Sequence, residues 1–210
     1  MQYLDEKQLL CDLCCQFYNK GWVSGTGGGI TLKVAPNLAL IAPSGVQKEQ
    51  IKPEELFLFD LKQSQIIDEP KNLKISACTN IFINIYQNRP SVAAIIHSHS
   101  INAVMLTKIN SAKTVSFEKY EMLKGLSGGK YSEIHTLPIL DNVEYECDLA
   151  EAVGQAVLDF PKAFAVLVRD HGVYIWGDSA AQAKVHAECY DYLFEAQVRE
   201  KSLQALGLMK

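Results

Sequence analysis

A three-layer α/β/α domain, with a mostly antiparallel sheet held between helices, is the fold class that the pattern of this 210-residue chain predicts. Two observations carry the prediction. Short β-rich runs are separated by tight-turn residues, as hairpins require, and helix-length amphipathic runs alternate with them. Apolar residues also make up 48% of the chain, enough to cover both faces of a sheet without disulfide or metal staples. No internal repeat, low-complexity tract or linker interrupts the pattern, so residues 1–210 read as one domain.

The elements follow in order. A first helix spans about residues 5–19 and stops at Gly21; the loop from Ser24 to Gly29 comes next. Ile30 to Val34 and Leu38 to Ala42 form a hairpin turning at Pro36 and Asn37, and Pro43 to Gly45 makes a second tight loop. Leu56 to Leu61 is a strand, Thr79 to Gln87 a helix, Ala93 to His97 a central strand, and Asn102 to Lys108 a helix. From Ile109 to Pro138 the pattern is irregular, with a loop at Ser127 to Gly129 of the kind that covers substrates. Asp148 to Asp159 is helical, Phe164 to Val168 and Val173 to Trp176 are strands, and a long helix runs from Ser179 to about Leu206, capped by Asp178 or Ser179.

Composition excludes several function classes. A net charge of −4 with scattered lysines and arginines leaves no electrostatic footprint for nucleic acid. No apolar segment approaches the ~20 residues needed to cross a bilayer, and the first residues are polar, so we expect no membrane association and a cytoplasmic location. Six cysteines are too sparse for a disulfide scaffold. Cys11, Cys14 and Cys15 sit on a helical apolar stripe, where cysteine packs as a small hydrophobe.

Chemistry concentrates in the histidines. His97 and His99 close the apolar run Ser91 to Ile96, and the two-residue period of a strand points both imidazoles to one face. A bare pair of this kind is equally consistent with core hydrogen bonding. His171 changes the weighing, because it too ends an apolar run, Ala163 to Val168, and is followed by Gly172, which permits a tight turn. Three imidazoles at strand ends make a plausible open zinc site, with the fourth position left for water or substrate. Fe²⁺, Co²⁺ or Ni²⁺ also suit such a donor set. His135 and His186 belong to no constellation and read as structural or solvated.

The glycine-rich stretch Gly25 to Gly29 invites a nucleotide reading that its context rejects. It follows a helix and precedes strands, the reverse of the dinucleotide fingerprint, and no Lys-Ser/Thr pair follows as in a P-loop. Gly27 and Gly28, Ser44 and Gly45, and Ser76 at a helix start can still offer backbone N–H groups to an oxyanion. Taken one at a time, each is ordinary turn chemistry.

With these residues assembled, the chain resembles the class II aldolase superfamily, and within it the dehydratase branch of methionine salvage. The resemblance covers nearly the whole chain. It rests on Trp22 to Leu32, Ile41 to Lys48, Ser76 to Thr79, His97 to His99, Glu121 to Gly125 and Ala165 to Gly177, with Gly172 to Gly177 and Cys189 to Phe194 specific to the dehydratases. It implies that His97, His99 and His171 bind one Zn²⁺ per subunit, that Glu121 is the general acid/base, and that Cys78 lines the substrate pocket. It also implies a homotetramer with active sites at subunit contacts, and zinc-dependent dehydration of 5-methylthioribulose 1-phosphate to the 2,3-diketone. Lys124, one helical turn from Glu121, is assigned to phosphate contact or charge neutralisation. Cys78 stands in the region where the aldolases carry a catalytic glutamate, Ala77 where other members offer a polar side chain, and Gly28 where aldolases often have asparagine. Two other readings remain open, a sugar-phosphate aldolase or epimerase and a non-catalytic interaction domain like the adducin head. Tyr145, Tyr190, Tyr192 and Phe194 could reach a neighbour's site, although helical spacing favours core packing for the last three.

Overall fold

The computed structural model describes residues 2–209. Helix α1 (Leu4–Asn19) leads into β1 (Gly29–Ala35), β2 (Leu38–Ile41), the short β3 (Pro43–Ser44), β4 (Phe57–Asp60), β5 (Gln65–Asp68) and the short β6 (Lys74–Ile75). Then come α2 (Thr79–Asn88), β7 (Ala94–Ser98), α3 (Ile101–Lys108), β8 (Thr114–Phe117), β9 (His135–Leu140) and α4 (Ala150–Asp159). The hairpin of β10 (Ala165–Val168) and β11 (Gly172–Gly177) precedes the long α5 (Ala180–Ala205).

Nine strands form one sheet in the order β5-β4-β2-β1-β7-β11-β10-β9-β8. Among its pairs only β9 with β10 is parallel; the others run antiparallel. The central strands β7, β10 and β11 are buried along their whole length, so they read in sequence as continuous apolar runs rather than alternating ones. Alternation persists in three dimensions: Val173 and Ile175 enter one apolar cluster with α1, α3 and α5, while Tyr174 and Trp176 enter the other with α2 and α4. Helices therefore cover both faces, as expected from sequence.

Several differences from the sequence reading have physical causes. The region 109–138 holds two strands, β8 and β9, which pair with each other at the sheet edge. β8 alternates, with Val115 and Phe117 buried, but over four residues only, and Pro138 lies inside β9, where proline usually argues against a strand. The exposed β5 carried no apolar pattern at all. The helix expected from Asp148 begins as a one-turn 3-10 segment, Glu146–Leu149, before α4. Ser179 is the N-cap of α5, its hydroxyl accepting from the Gln182 amide. Cys11 and Cys14 are buried in the core and Cys15 is exposed, and among the aromatics Tyr190 and Phe194 are core while Tyr145 and Tyr192 face solvent. No helix among the described residues is long and apolar enough to cross a membrane.

A candidate metal centre at the strand ends

The site grows from the middle of the sheet. β7 lies between β1 and β11, placing Gly29 opposite His97 on one side and Tyr174 opposite it on the other. His97 is the penultimate residue of β7 and fully buried, and its ring stacks on that of Tyr174 with centroids 4.1 Å apart. His99 lies one residue past the strand, its amide donating to the Trp22 carbonyl at 2.7 Å. His171 occupies the turn between β10 and β11. The turn's left-handed residue is Asp170, at φ 58°, rather than Gly172. Gly172 is needed for a different reason: a Cβ there would lie 2.1 Å from the Ser98 carbonyl oxygen, so only glycine lets the hairpin approach β7 closely enough.

The three rings converge. The Nε2 atoms of His97 and His99 are 2.8 Å apart, those of His97 and His171 3.2 Å, and those of His99 and His171 3.2 Å. His97 Nδ1 faces the Val173 carbonyl at 3.2 Å and His171 Nδ1 faces Asn142 Oδ1 at 3.2 Å. Both Nδ1 atoms therefore carry protons, which leaves the Nε2 lone pairs pointing at one another. Burial, then the neighbouring His97 and His171, push His99 down to about 3, and burial also lowers His171. Protons thus do little to relieve the crowding. A divalent cation does, since tetrahedral bonds of ~2.0–2.1 Å separate their donor nitrogens by about 3.3 Å. The residues present therefore fit a metal ion.

Around this cluster sit the anion-accepting loops. A Cβ on Gly27 would come 2.5 Å from His99 Nδ1, and one on Gly28, which has φ +71°, would come 2.8 Å from the His97 carbonyl oxygen. The glycines are thus what lets the loop lie directly against the histidines. Gly29 in turn faces Ser76 Oγ and Cys78 Sγ, each 3.4 Å from a Cβ built on it. β3 pairs with β6 so that Ser44 opposes Lys74, two residues before Ser76. The buried Lys48 ammonium ties the two loops together, donating to the Thr26 carbonyl at 3.2 Å and the Val46 carbonyl at 3.3 Å. Gly27, Gly28, Ser76 and Cys78 consequently lie beside the histidines, while Ser44 and Gly45 connect to them through the β3–β6 pair and Lys48.

Glu121 and Lys124 are placed differently. They lie on a one-turn 3-10 helix, Glu121–Gly125, packed against α5, and pair with each other at 2.8 Å with both side chains largely exposed. No contact of the imidazole cluster involves either residue.

Sequence reasoning missed Glu146 and Tyr174. Glu146 Oε1 lies 3.1 Å from His97 Nε2 and 3.7 Å from His171 Nε2. It accepts from Cys78 Sγ at 3.2 Å and from the Tyr174 hydroxyl. Burial works against its charge, but the hydrogen bonds it accepts from Tyr174 and Cys78 help to hold the carboxyl below the usual carboxylate range. Burial, reinforced by that carboxylate, pushes the Cys78 thiol well up, so Cys78 is a proton donor rather than a thiolate nucleophile. Glu146 sits in an acidic, irregular stretch, where a functional carboxylate looks like a solvated one. A cleft of about 360 Å³ opens onto the cluster, lined by His99, Asn142, Glu146 and His171 among others.

The model of the class II aldolase and adducin N-terminal domain matches residues 8–198. The chain belongs to the class II aldolase and adducin family. It is 47% identical over 203 residues to the methylthioribulose-1-phosphate dehydratase of Xenopus tropicalis, covering 93% of this chain and 84% of that one. The Bos taurus protein of the same name is equally similar, at 47% over 203 residues with 93% and 83% covered. Among solved structures, an L-fuculose 1-phosphate aldolase superposes with a TM-score of 0.80 at 20% identity, covering 97% of this chain and 89% of that one. That likeness shows the shared fold, a large mixed sheet between helical layers. Cys78 stands at the N-terminus of α2, and the carboxylate beside it comes from Glu146 on the turn before α4.

Proposed function

We propose that this chain dehydrates 5-methylthioribulose 1-phosphate to 2,3-diketo-5-methylthiopentyl 1-phosphate in methionine salvage. The observation that carries the reading is the convergence of three imidazole Nε2 atoms beside anion-accepting glycine and serine loops. Its support from relatives is the 47% identity to proteins named for this reaction. We assign His97, His99 and His171 to one Zn²⁺ per subunit. When bound, such an ion supplies Lewis acidity toward substrate oxygens at the reacting carbons.

The chain's own residues divide the remaining work. Gly27, Gly28, Ser44, Gly45 and Ser76 receive the phosphate through backbone N–H groups and hydroxyls. Cys78, protonated and buried, lines the pocket wall and offers a thiol hydrogen. Elimination requires a base to take the proton from the carbon beside the ketone and an acid to return one to the departing hydroxyl, which leaves as water. Glu121 is assigned both steps. Because its own protomer leaves it on the surface, we assign it to the site of a neighbouring subunit in a homotetramer, with Lys124 beside it to neutralise charge. The chain acts as one cytoplasmic domain, with a small sugar phosphate as its ligand.

The test is an assay of the zinc-loaded protein with 5-methylthioribulose 1-phosphate, following the diketone, beside fuculose 1-phosphate and ribulose 5-phosphate. Turnover of the methylthio substrate alone is expected. Cleavage or epimerisation of the other two, without diketone formation, assigns the site to aldolase or epimerase chemistry instead.

A further inference from the structure

Glu146 is the only carboxylate among the described residues whose oxygen reaches the imidazole nitrogens, and no step assigned above uses it. The arrangement is costly unless something compensates it. Oε1 lies 3.1 Å from His97 Nε2 and 3.7 Å from His171 Nε2, nitrogens whose lone pairs already face each other. A carboxylate oxygen brought against two such lone pairs is repelled, and in a half-buried site water screens little of that repulsion. A proton on His97 Nε2 can serve only one of these neighbours at a time. A cation serves all of them, and the separations of 3.1 and 3.7 Å bracket the distance of about 3.3 Å between adjacent donors around a tetrahedral ion.

We propose that Glu146 is a fourth protein ligand of the divalent cation in the substrate-free protein, closing a site that three histidines alone leave open. Two neighbours steady it there. The Tyr174 hydroxyl and the Cys78 thiol both donate to the same oxygen, Oε1, and hold the carboxylate against the imidazoles. The fold fixes both donors: Tyr174 is the cross-strand neighbour of His97 on β11, stacked on its ring, and Cys78 precedes the first residue of α2. Glu146 itself comes from the 3-10 turn ahead of α4, at the edge of the open cleft, where a small movement of one side chain exchanges protein for substrate oxygen. The inference rests on the histidines binding a cation, as the proposed function does, but not on the identity of the substrate.

Cobalt tests it, because Co²⁺ substitutes for zinc in nitrogen and oxygen sites and its visible absorption reports ligand number and type. The full-length protein stripped of metal is titrated with Co²⁺, alone and in competition with a chelator, for wild type and Glu146→Gln. The expected result is a loss in affinity of about 10-fold or more with an altered d–d spectrum, while the metal-free melting curve stays within a few degrees. Wild-type affinity and spectrum in Glu146→Gln overturn the proposal. Should that variant fail to fold, Glu146→Asp decides: a carboxylate one methylene shorter is expected to weaken Co²⁺ binding severalfold with an altered spectrum, and wild-type affinity and spectrum overturn the proposal. A protein that holds Co²⁺ through Glu146 yet forms no diketone refutes the dehydratase reading and leaves the ligand assignment intact.

Discussion

The two regions that carry the proposed chemistry are built in opposite ways. At the ends of β7 and of the β10–β11 turn, each imidazole is fixed by a neighbour: His97 by Val173 and the Tyr174 ring, His99 by the Trp22 carbonyl and Gly27, His171 by Asn142. On the 3-10 turn at Glu121, the carboxylate meets only Lys124 and solvent. Holding a metal demands donors preorganised to a few tenths of an ångström, which the interior of a sheet provides. A group presented outward is rigid only once something packs over it. The contrast teaches that one protomer brings the three imidazoles and Glu146 together but leaves Glu121 outside their reach.

The sharpest way to break that division is to damage each side separately. His97→Ala is expected to lose metal and activity together, since two imidazoles hold a divalent ion poorly, and elemental analysis of the purified variant checks it. Full metal content in that variant would remove His97 from the site. Glu121→Gln is expected to keep its metal while turnover falls by about 10²–10⁴-fold, the usual contribution of a general acid/base. Mixing these two inactive variants after dissociation and reassembly takes the comparison further. Hybrid oligomers place an intact Glu121 beside an intact metal centre, so activity returns if the carboxylate works across a subunit contact, and stays absent if each chain needs its own.

Smaller effects sharpen the picture within the chain. Gly27→Ala drives a methyl into His99 Nδ1, and metal affinity measured by chelator competition is expected to fall about 10–100-fold, as for other disturbances of ligand orientation. The smallest effect concerns His135, outside the site. Burial, then the charge of nearby His186, takes it from 6.5 down to about 4, while its Nε2 meets the Tyr190 hydroxyl at 2.8 Å. The unfolded chain therefore binds more protons between these values, and the stability that neutral His135 contributes is present above pH 6.5 and lost as pH falls toward 4. In His135→Asn the drop in melting temperature across that window is expected to shrink by roughly 2–4 °C, the shift that about 1 kcal/mol produces in a chain of this size. An identical drop in both proteins would place the acid sensitivity elsewhere.

Much of this was legible before any coordinates, and the parts that were not share a cause. The apolar runs ending in His97 and His171 announced buried strands with donors at their ends, and the glycines of Gly25 to Gly29 announced a loop rather than an element. Those signals are local, arising from side-chain period and from backbone freedom, and they need no knowledge of the partner strand. The edge strands β5 and β8 were missed because four residues are too few for a period to register: β8 alternates only from Thr114 to Phe117, and the exposed β5 carries Ile66 and Ile67 side by side.

The sequence by itself determined the layered fold, the three candidate imidazoles and the glycine loop beside them, because each is written in local spacing. Only the tertiary structure decided that Glu146, Cys78 and Tyr174, from three separate elements, share one oxygen beside His97, and that Glu121 stands apart from them. The physical reason is that a carboxylate's role is set by what lies within about 4 Å of it. No residue pattern along the chain encodes which distant donors the packing of β11 and α2 will bring there.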